Sequence, residues 1–202
     1  KYKFEPQKAS QLLDAAGWKK RKNGIRFNIN GAPLRLEIMT TAGNRTRELV
    51  QQVLQSHWKA VGIDIRIRNQ PARVFFGKTV AERIYSGLAM YAWISSPESV
   101  PRTTLHSAHI PNSGNNFAGQ NYTGFKNQEM DALLEVIEIE LDREKRKKLW
   151  QKLQYIYASE LPVIPLYFRA NAYVIPNWLT GLVPTGHQYP TTHWVENWRP
   201  KL

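Results

Sequence analysis

The chain has 202 residues, enough for one sizeable domain or two small ones, and a compact fold of that length buries roughly 70% of its unfolded surface without a staple. It contains no cysteine, which excludes disulfides and thiolate metal sites and fits either a reducing cytosol or a cell envelope. Lys plus Arg is 28 against 16 Asp plus Glu, a net charge of +12, so an anionic partner such as nucleic acid has to be weighed.

No apolar run approaches the roughly 20 residues that span a bilayer, and the opening KYKFEPQKAS is not a signal peptide. It starts on a helix entry and reads as cut from a longer chain. The first predicted element is a helix over 6–16, with Pro6 in its first turn, Ala9, Leu12, Leu13 and Ala16 on one face, and Gly17 as its stop. Asn23-Gly24 and Asn30-Gly31 then flank the alternating 25–29 and precede 34–38, a hairpin signal because a type I′ turn needs positive φ at both central residues. The basic run Lys19-Lys20-Arg21-Lys22 falls at the hairpin mouth, where it is solvated.

Leu49, Val50, Val53, Leu54, Trp58 and Val61 mark one face of a long helix ended by Gly62, and 63–68 alternates as a strand. A further helix is predicted over 72–85 with Phe76, Val80 and Ile84 inward. The run 88–94, almost wholly aliphatic and aromatic, reads as a strand buried on both faces. This order of strands and helices implies crossover units, hence an α/β fold with a mixed sheet flanked by helices.

Residues 95–124 lack periodicity and read as a long loop over the sheet edge. Asn127 is placed to cap a helix with Met130, Leu133, Leu134, Ile137 and Leu141 inward; Asp142 is placed to cap another with Leu149, Leu153, Ile156 and Tyr157 inward and the basic run 143–148 outward. Two short strands are expected at 163–168 and 172–175, restricted by Pro162 and Pro165 to an edge. The remaining stretch is rich in Pro, Gly, Trp and Tyr without an amphipathic pattern, and packs against something outside itself.

A buried strand delivers its end to one fixed place, and in open α/β sheets ligands sit at the carboxyl ends of strands. Here that end carries Trp93, Ser95, Ser96 and Glu98: a flat ring, two hydroxyls and a carboxylate. The plainer alternative is that Trp93 is core and the serines only turn the chain. His106 and His109 lack a third ligand, so no metal site is expected. Ser56-His57-Trp58-Lys59 matches S-x-x-K without its companion motifs, and no nucleophile elbow, zinc-protease helix, phosphate loop or dinucleotide fingerprint occurs. The chain therefore does not read as an enzyme, and no cofactor is implied. A basic nucleic-acid-binding domain stays as the alternative class, disfavoured because only Trp18 and Trp150 lie beside the basic clusters.

Four passages, in order, carry a family resemblance: Phe4-Glu5-Pro6-Gln7-Lys8-Ala9 through Leu12-Leu13-Asp14-Ala15-Ala16-Gly17-Trp18; Val61-Gly62-Ile63-Asp64-Ile65; Asn121-Tyr122-Thr123-Gly124-Phe125 leading to Glu129-Met130-Asp131-Ala132-Leu133-Leu134; and Arg146 through Leu149 with Leu161-Pro162-Val163-Ile164-Pro165-Leu166-Tyr167. Together they resemble the C-terminal lobe of the family 5 extracellular solute-binding proteins, the dipeptide- and oligopeptide-binding components of bacterial import transporters. The resemblance implies one lobe of a two-lobed, type II periplasmic-binding-protein fold, with 1–175 as a partial C-terminal ligand-binding lobe and 176–202 as a tail crossing back to the N-terminal lobe. It further implies an ABC importer's substrate-binding subunit, periplasmic or membrane-anchored outside a Gram-positive cell. Its partners would be a peptide or peptide-like solute, the permease subunits and the other lobe, with no nucleic acid.

On this resemblance Trp93 to Glu98 is the ligand loop, with Asn121 and Tyr122 as further candidates. Members that grip a peptide's free amino terminus place an aspartate shortly after this tryptophan, where the present chain has Ser95 and Ser96. Losing one partner of a buried charge pair costs about 2–5 kcal/mol, and a hydroxyl bonded to an ammonium returns about 1.5–3. Either Glu98 substitutes from two residues on, or the solute carries no free ammonium.

Overall fold

The computed structural model describes residues 2–21 and 23–201; Lys1, Lys22 of the first basic run and Leu202 lie outside the described residues. Helix α1 (Pro6–Ala15) runs into a turn at Gly17, and β1 (Lys19–Lys20) pairs antiparallel with β2 (Arg26–Phe27) across Asn23-Gly24. The second Asn-Gly pair turns the chain toward β3 (Arg35–Met39), touching back through a Phe27–Pro33 bridge and the bond from the Leu34 amide to the Arg26 carbonyl (2.7 Å).

Arg26 holds this corner together and is only 1% exposed. Its guanidinium donates to the Val61 carbonyl (2.7 Å), the Trp18 carbonyl (2.6 Å), the Asp14 carboxylate (2.8 Å) and both the carbonyl (3.2 Å) and hydroxyl of Ser10. A buried guanidinium is tolerated when its donors are matched. The hydrogen bond from Arg26 also holds the half-exposed Asp14 carboxyl below its ordinary range.

The main sheet has three parallel strands in the order β4 (Asp64–Ile67), β3, β5 (Leu88–Ala89). Antiparallel pairing occurs in separate two-stranded ribbons, β1 with β2 and, near the chain's end, β6 (Leu179–Thr180) with β7 (Arg199–Pro200). The strand expected over 88–94 is corrected: β3 is central, β5 is a two-residue edge strand, and Trp93 and Ile94 are exposed. Pairing stops because β5 reaches only the last residues of β3, Ile38 with Leu88 and Met39 with Ala89. At its start Gly87 is obligatory, since a Cβ there would sit 2.2 Å from the Glu37 carbonyl oxygen.

Helix α2 (Arg45–Ala60) is capped by the Asn44 side chain, which accepts from the Arg47 amide at 3.1 Å, and is stopped at Gly62 with φ of +92°. Its face is rotated from the expected one. Gln51 is buried while Leu49 and Val53 are exposed, because Gln51 pairs reciprocally with Asn69, both amide contacts being 2.9 Å. The helix expected over 72–85 is also corrected. A single turn, α3 (Ala72–Val74), widens into a π-helix (Phe75–Val80) that buries Phe75, Thr79 and Val80 and ends before Ile84, which is exposed.

Beyond the sheet, 95–124 is not an open loop. It folds as α4 (Arg102–Leu105) and two 3₁₀ turns, Ser107–His109 and Ser113–Asn115. Asn121, fully enclosed, fastens these turns: its amide nitrogen donates to the carbonyls of Leu105 (3.3 Å), His106 (3.2 Å) and Phe125 (2.8 Å), and its oxygen accepts from the Phe125 amide (3.0 Å) and the Thr123 hydroxyl (3.2 Å). A second core then forms between α4, α5 (Gln128–Ile139) and α6 (Arg143–Glu160), from Leu105, Met130, Leu133, Leu134, Ile137, Leu153 and Ile156. Asn127 and Asp142 cap these helices as the sequence requires, accepting from the Met130 (2.9 Å) and Lys145 (2.8 Å) amides. Leu141 falls in the connection and is 94% exposed rather than inward.

The strands expected at 163–168 and 172–175 do not form; among the described residues this stretch pairs with no strand and leaves Ile164, Phe168 and Val174 exposed. Pro162 and Pro165 donate no backbone hydrogen bond, and among the described residues no strand pairs with the run.

Replacing Arg26 with Ala should lower the unfolding free energy by about 3–5 kcal/mol, because three carbonyls lose their donor and a buried side-chain volume empties. Denaturant unfolding followed by far-UV circular dichroism measures it; a loss no larger than that of Asp14→Asn would show that the guanidinium is not holding the corner. Asn121→Ala should cost about 2–4 kcal/mol and speed hydrogen exchange at the Phe125 amide, whose acceptor it removes.

Candidate functional site

The three parallel strands end together. The Thr40 amide donates to the Asn69 side chain (3.1 Å) and the Gln70 amide to the Thr40 carbonyl (3.1 Å), while the Thr40 hydroxyl donates to the Met90 carbonyl (2.6 Å). Thr40 is fully buried, so these bonds fix the level at which each strand gives way to loop. From Met90, whose amide still reaches the Met39 carbonyl at 2.8 Å, the chain continues extended and delivers Tyr91 and then Trp93.

Those two rings join an aromatic shelf. Tyr91 stands edge-on to Phe75 (6.2 Å between centroids), Phe76 (5.8 Å), Trp93 (5.7 Å) and Tyr122 (6.2 Å), and Trp93 lies stacked on Tyr122 at 6.4 Å and 25°. Such contacts are each worth about 0.5–1.5 kcal/mol beyond area burial. The shelf is graded from inside to outside: Phe75 is inaccessible, Tyr91 and Tyr122 are half-buried, and Trp93 is 51% exposed. Burial raises the Tyr91 phenol well above its usual range, so the shelf is uncharged at any physiological pH.

Tyr122 is aimed by its backbone. Its carbonyl accepts from the Tyr85 hydroxyl (2.8 Å) and the Arg83 guanidinium (3.1 Å), which tie the loop carrying it to the end of the π-helix. Ser95 and Ser96 follow Trp93, and the Ser99 amide closes on the Ser96 carbonyl at 3.1 Å, a turn that carries Glu98 on the surface. The Glu98 carboxylate accepts from the Tyr189 hydroxyl at 3.1 Å.

Of the residues singled out in the sequence, Trp93 and Tyr122 meet directly, with Ser95, Ser96 and Glu98 on the loop that continues from the shelf. Asn121 is corrected: sealed inside with every polar atom engaged, it builds the loop and offers nothing to a solute. His106 is likewise part of the scaffold, its Nδ1 accepting from the Ala108 amide at 3.0 Å and its Nε2 lying 3.4 Å from Glu135. No three metal-ligating side chains cluster among the described residues.

Tyr91, Tyr85, Arg83 and Phe76 build or brace the aromatic shelf without any motif that marks them. The apolar pattern alone assigns Tyr91 and Phe76 to the core. A groove of about 410 Å³ between α2 and β4, lined by Ile25, Gln55, Lys59 and Ile65, opens at the amino-terminal end of the strands and not beside the shelf.

The family described as Bacterial extracellular solute-binding proteins, family 5 Middle, matches residues 1–115. The crystal structure of an oligopeptide binding protein from Thermus thermophilus complexed with a pentapeptide superposes with a TM-score of 0.82 at 35% identity, over 96% of this chain and 35% of that one. Oligopeptide-binding protein AppA of Bacillus subtilis is 25% identical over 187 residues, 90% of this chain and 32% of AppA. Its nonapeptide complex superposes with a TM-score of 0.74. Oligopeptide-binding protein OppA of the same organism is 29% identical over 138 residues, 68% of this chain and 24% of OppA. The chain thus spans about a third or less of the length of the relatives it matches, and its α/β architecture is that of type II periplasmic binding proteins. With more than half its length matched, the chain belongs to the family 5 bacterial extracellular solute-binding proteins.

Proposed function

We propose that this chain is part of the substrate-binding subunit of an ABC importer and captures a peptide or peptide-like solute between its own lobe and a second one. The observation that carries the reading is the half-exposed Trp93 stacked on Tyr122 at the carboxyl end of a parallel sheet. The backbone beyond it supports a peptidic solute: the amides of Ile94 and Ser96, which share one edge of an extended chain, have no partner among the described residues, so an extended peptide can add along that edge as a further strand. The Ser95 and Ser96 hydroxyls supply neutral hydrogen bonds beside the indole.

Residues 1–175 then form part of the ligand-binding lobe, and 176–202 belong to a tail that crosses to the N-terminal lobe. The exposed apolar side chains of Trp178, Val183 and Val195 support that crossing, since each leaves apolar surface open for another part of the protein to cover. Family members are extracellular or periplasmic, and this chain is assigned to the periplasm or to the outer face of a Gram-positive membrane, with permease subunits as its membrane partners. Capture without turnover is the whole of the activity.

In the full-length protein, Trp93→Ala should weaken binding of penta-alanine at least 10-fold by isothermal titration calorimetry, the loss expected when a buried aromatic anchor is truncated. Unchanged affinity would remove Trp93 from the site. Raising the salt from 50 to 200 mM should change that affinity less than about 3-fold; a nucleic-acid-binding domain would instead bind single-stranded DNA with affinity falling about 10³-fold or more over the same range.

A further inference from the structure

Glu98 is the one carboxylate on the ligand loop, and its hydrogen-bond partner comes from 91 residues further along the chain. The Tyr189 hydroxyl donates to it at 3.1 Å, and the neighbouring Gln188 amide donates to the Ser95 carbonyl at 3.4 Å. Two bonds from adjacent tail residues therefore land on both ends of the short loop between Ser95 and Glu98.

Tyr189 reaches Glu98 from a segment that is already ordered. Its amide donates to His187 Nδ1 at 3.2 Å and its carbonyl accepts from the Thr185 hydroxyl at 2.6 Å. Its ring meets the His187 ring edge-on at 4.9 Å and is stacked on His193 at 5.3 Å and 24°, with Trp194 beyond at 5.2 Å from His193. Because the tyrosine's freedom is spent on these contacts before it meets the carboxylate, little further ordering opposes the bond.

Resting on the peptide-binding reading above, we infer that Glu98 does not anchor a solute ammonium. It is the latch that fastens residues 187–194 across the ligand loop, with Tyr189 as a positioning residue of the site. The solute's amino terminus is then met by Ser95, Ser96 and backbone, all neutral groups, and the site admits peptides whose amino terminus is blocked as readily as free ones. The substrate class is extended peptides recognised through peptide groups and side-chain stacking, without a charged terminus as a requirement.

A latch needs an acceptor at residue 98, whereas an ammonium anchor needs a charge, and Glu98→Gln separates the two because its amide oxygen still accepts from Tyr189. In the ligand-free, full-length protein, Glu98→Ala and Tyr189→Phe should each speed hydrogen exchange of the 187–194 amides about 5-fold, the double variant no more than either, and Glu98→Gln should stay within about 2-fold of wild type. In calorimetry, Glu98→Ala should weaken penta-alanine and N-acetyl-penta-alanine by the same factor, and Glu98→Gln should leave both nearly unchanged. Exchange at 187–194 that ignores Glu98→Ala, or a Glu98→Gln loss confined to the free-amine peptide, overturns the latch. A wild-type protein that binds neither peptide counts against the peptide reading instead, and the exchange measurement still decides the latch.

Discussion

The rest of the molecule hangs on the hydrogen bonds that Thr40 makes at the carboxyl end of the central strand. Through its amide, carbonyl and hydroxyl this one buried residue holds Asn69, Gln70 and Met90, so β3, β4 and the chain leaving β5 are fixed at one level. Asn69 in turn is locked by Gln51, which sets the rotation of α2 on the sheet. In a low-dielectric interior such a network is rigid because each member satisfies another, and removing one strands its partners. What it specifies is direction: three residues after Met90 comes Trp93, and its position outside the sheet follows from where Met90 is held.

Between the two cores lies the segment that gives the shelf its second ring. Met39, Phe75 and Val80 pack under the sheet side, and Leu105, Met130 and Leu134 pack between the helices. Asn121 belongs to the second core's loop, while its neighbour Tyr122 packs on the first. One residue step thus joins the two halves. Gly124 makes room for it, since a Cβ there would lie 2.0 Å from the Arg83 guanidinium that reaches the Tyr122 carbonyl.

The sequence told local structure well wherever a local cause decides it. The Asn127 and Asp142 caps, the Gly17 and Gly62 stops, the Asn23-Gly24 turn and the alternating 64–67 strand all depend on residues within one turn of each other. It told less where a distant partner decides. Gln51 looks like a solvent residue on an amphipathic helix until Asn69 is placed beside it, and the run 88–94 looks like a central strand because apolar content does not distinguish a core from an aromatic shelf. The residues 163–175 have strand composition, yet composition cannot supply a pairing neighbour. In the site, Trp93 was legible as the end of an apolar run and Tyr122 through the family motif. The approach of Tyr189 to Glu98 had no local trace at all.

Satisfaction of polar groups separates what builds this chain from what it presents. Thr40, Asn121 and Arg26 are buried and their side-chain polar atoms are matched by hydrogen-bond partners, so each has nothing left to give. The loop over 93–98 has the opposite character: hydroxyls on Ser95 and Ser96, amides without partners among the described residues, and an indole half in water. Exposed apolar area is unfavourable by roughly 25 cal/mol per Å², and nothing in the surrounding packing requires Trp93 to be outside, since Tyr91 two residues earlier is drawn in by the same shelf. An indole left at that boundary adds little to the stability of the sheet below it. What it makes at that boundary is a flat apolar face bordered by peptide groups without partners among the described residues, the surface on which the proposed capture of a peptide rests.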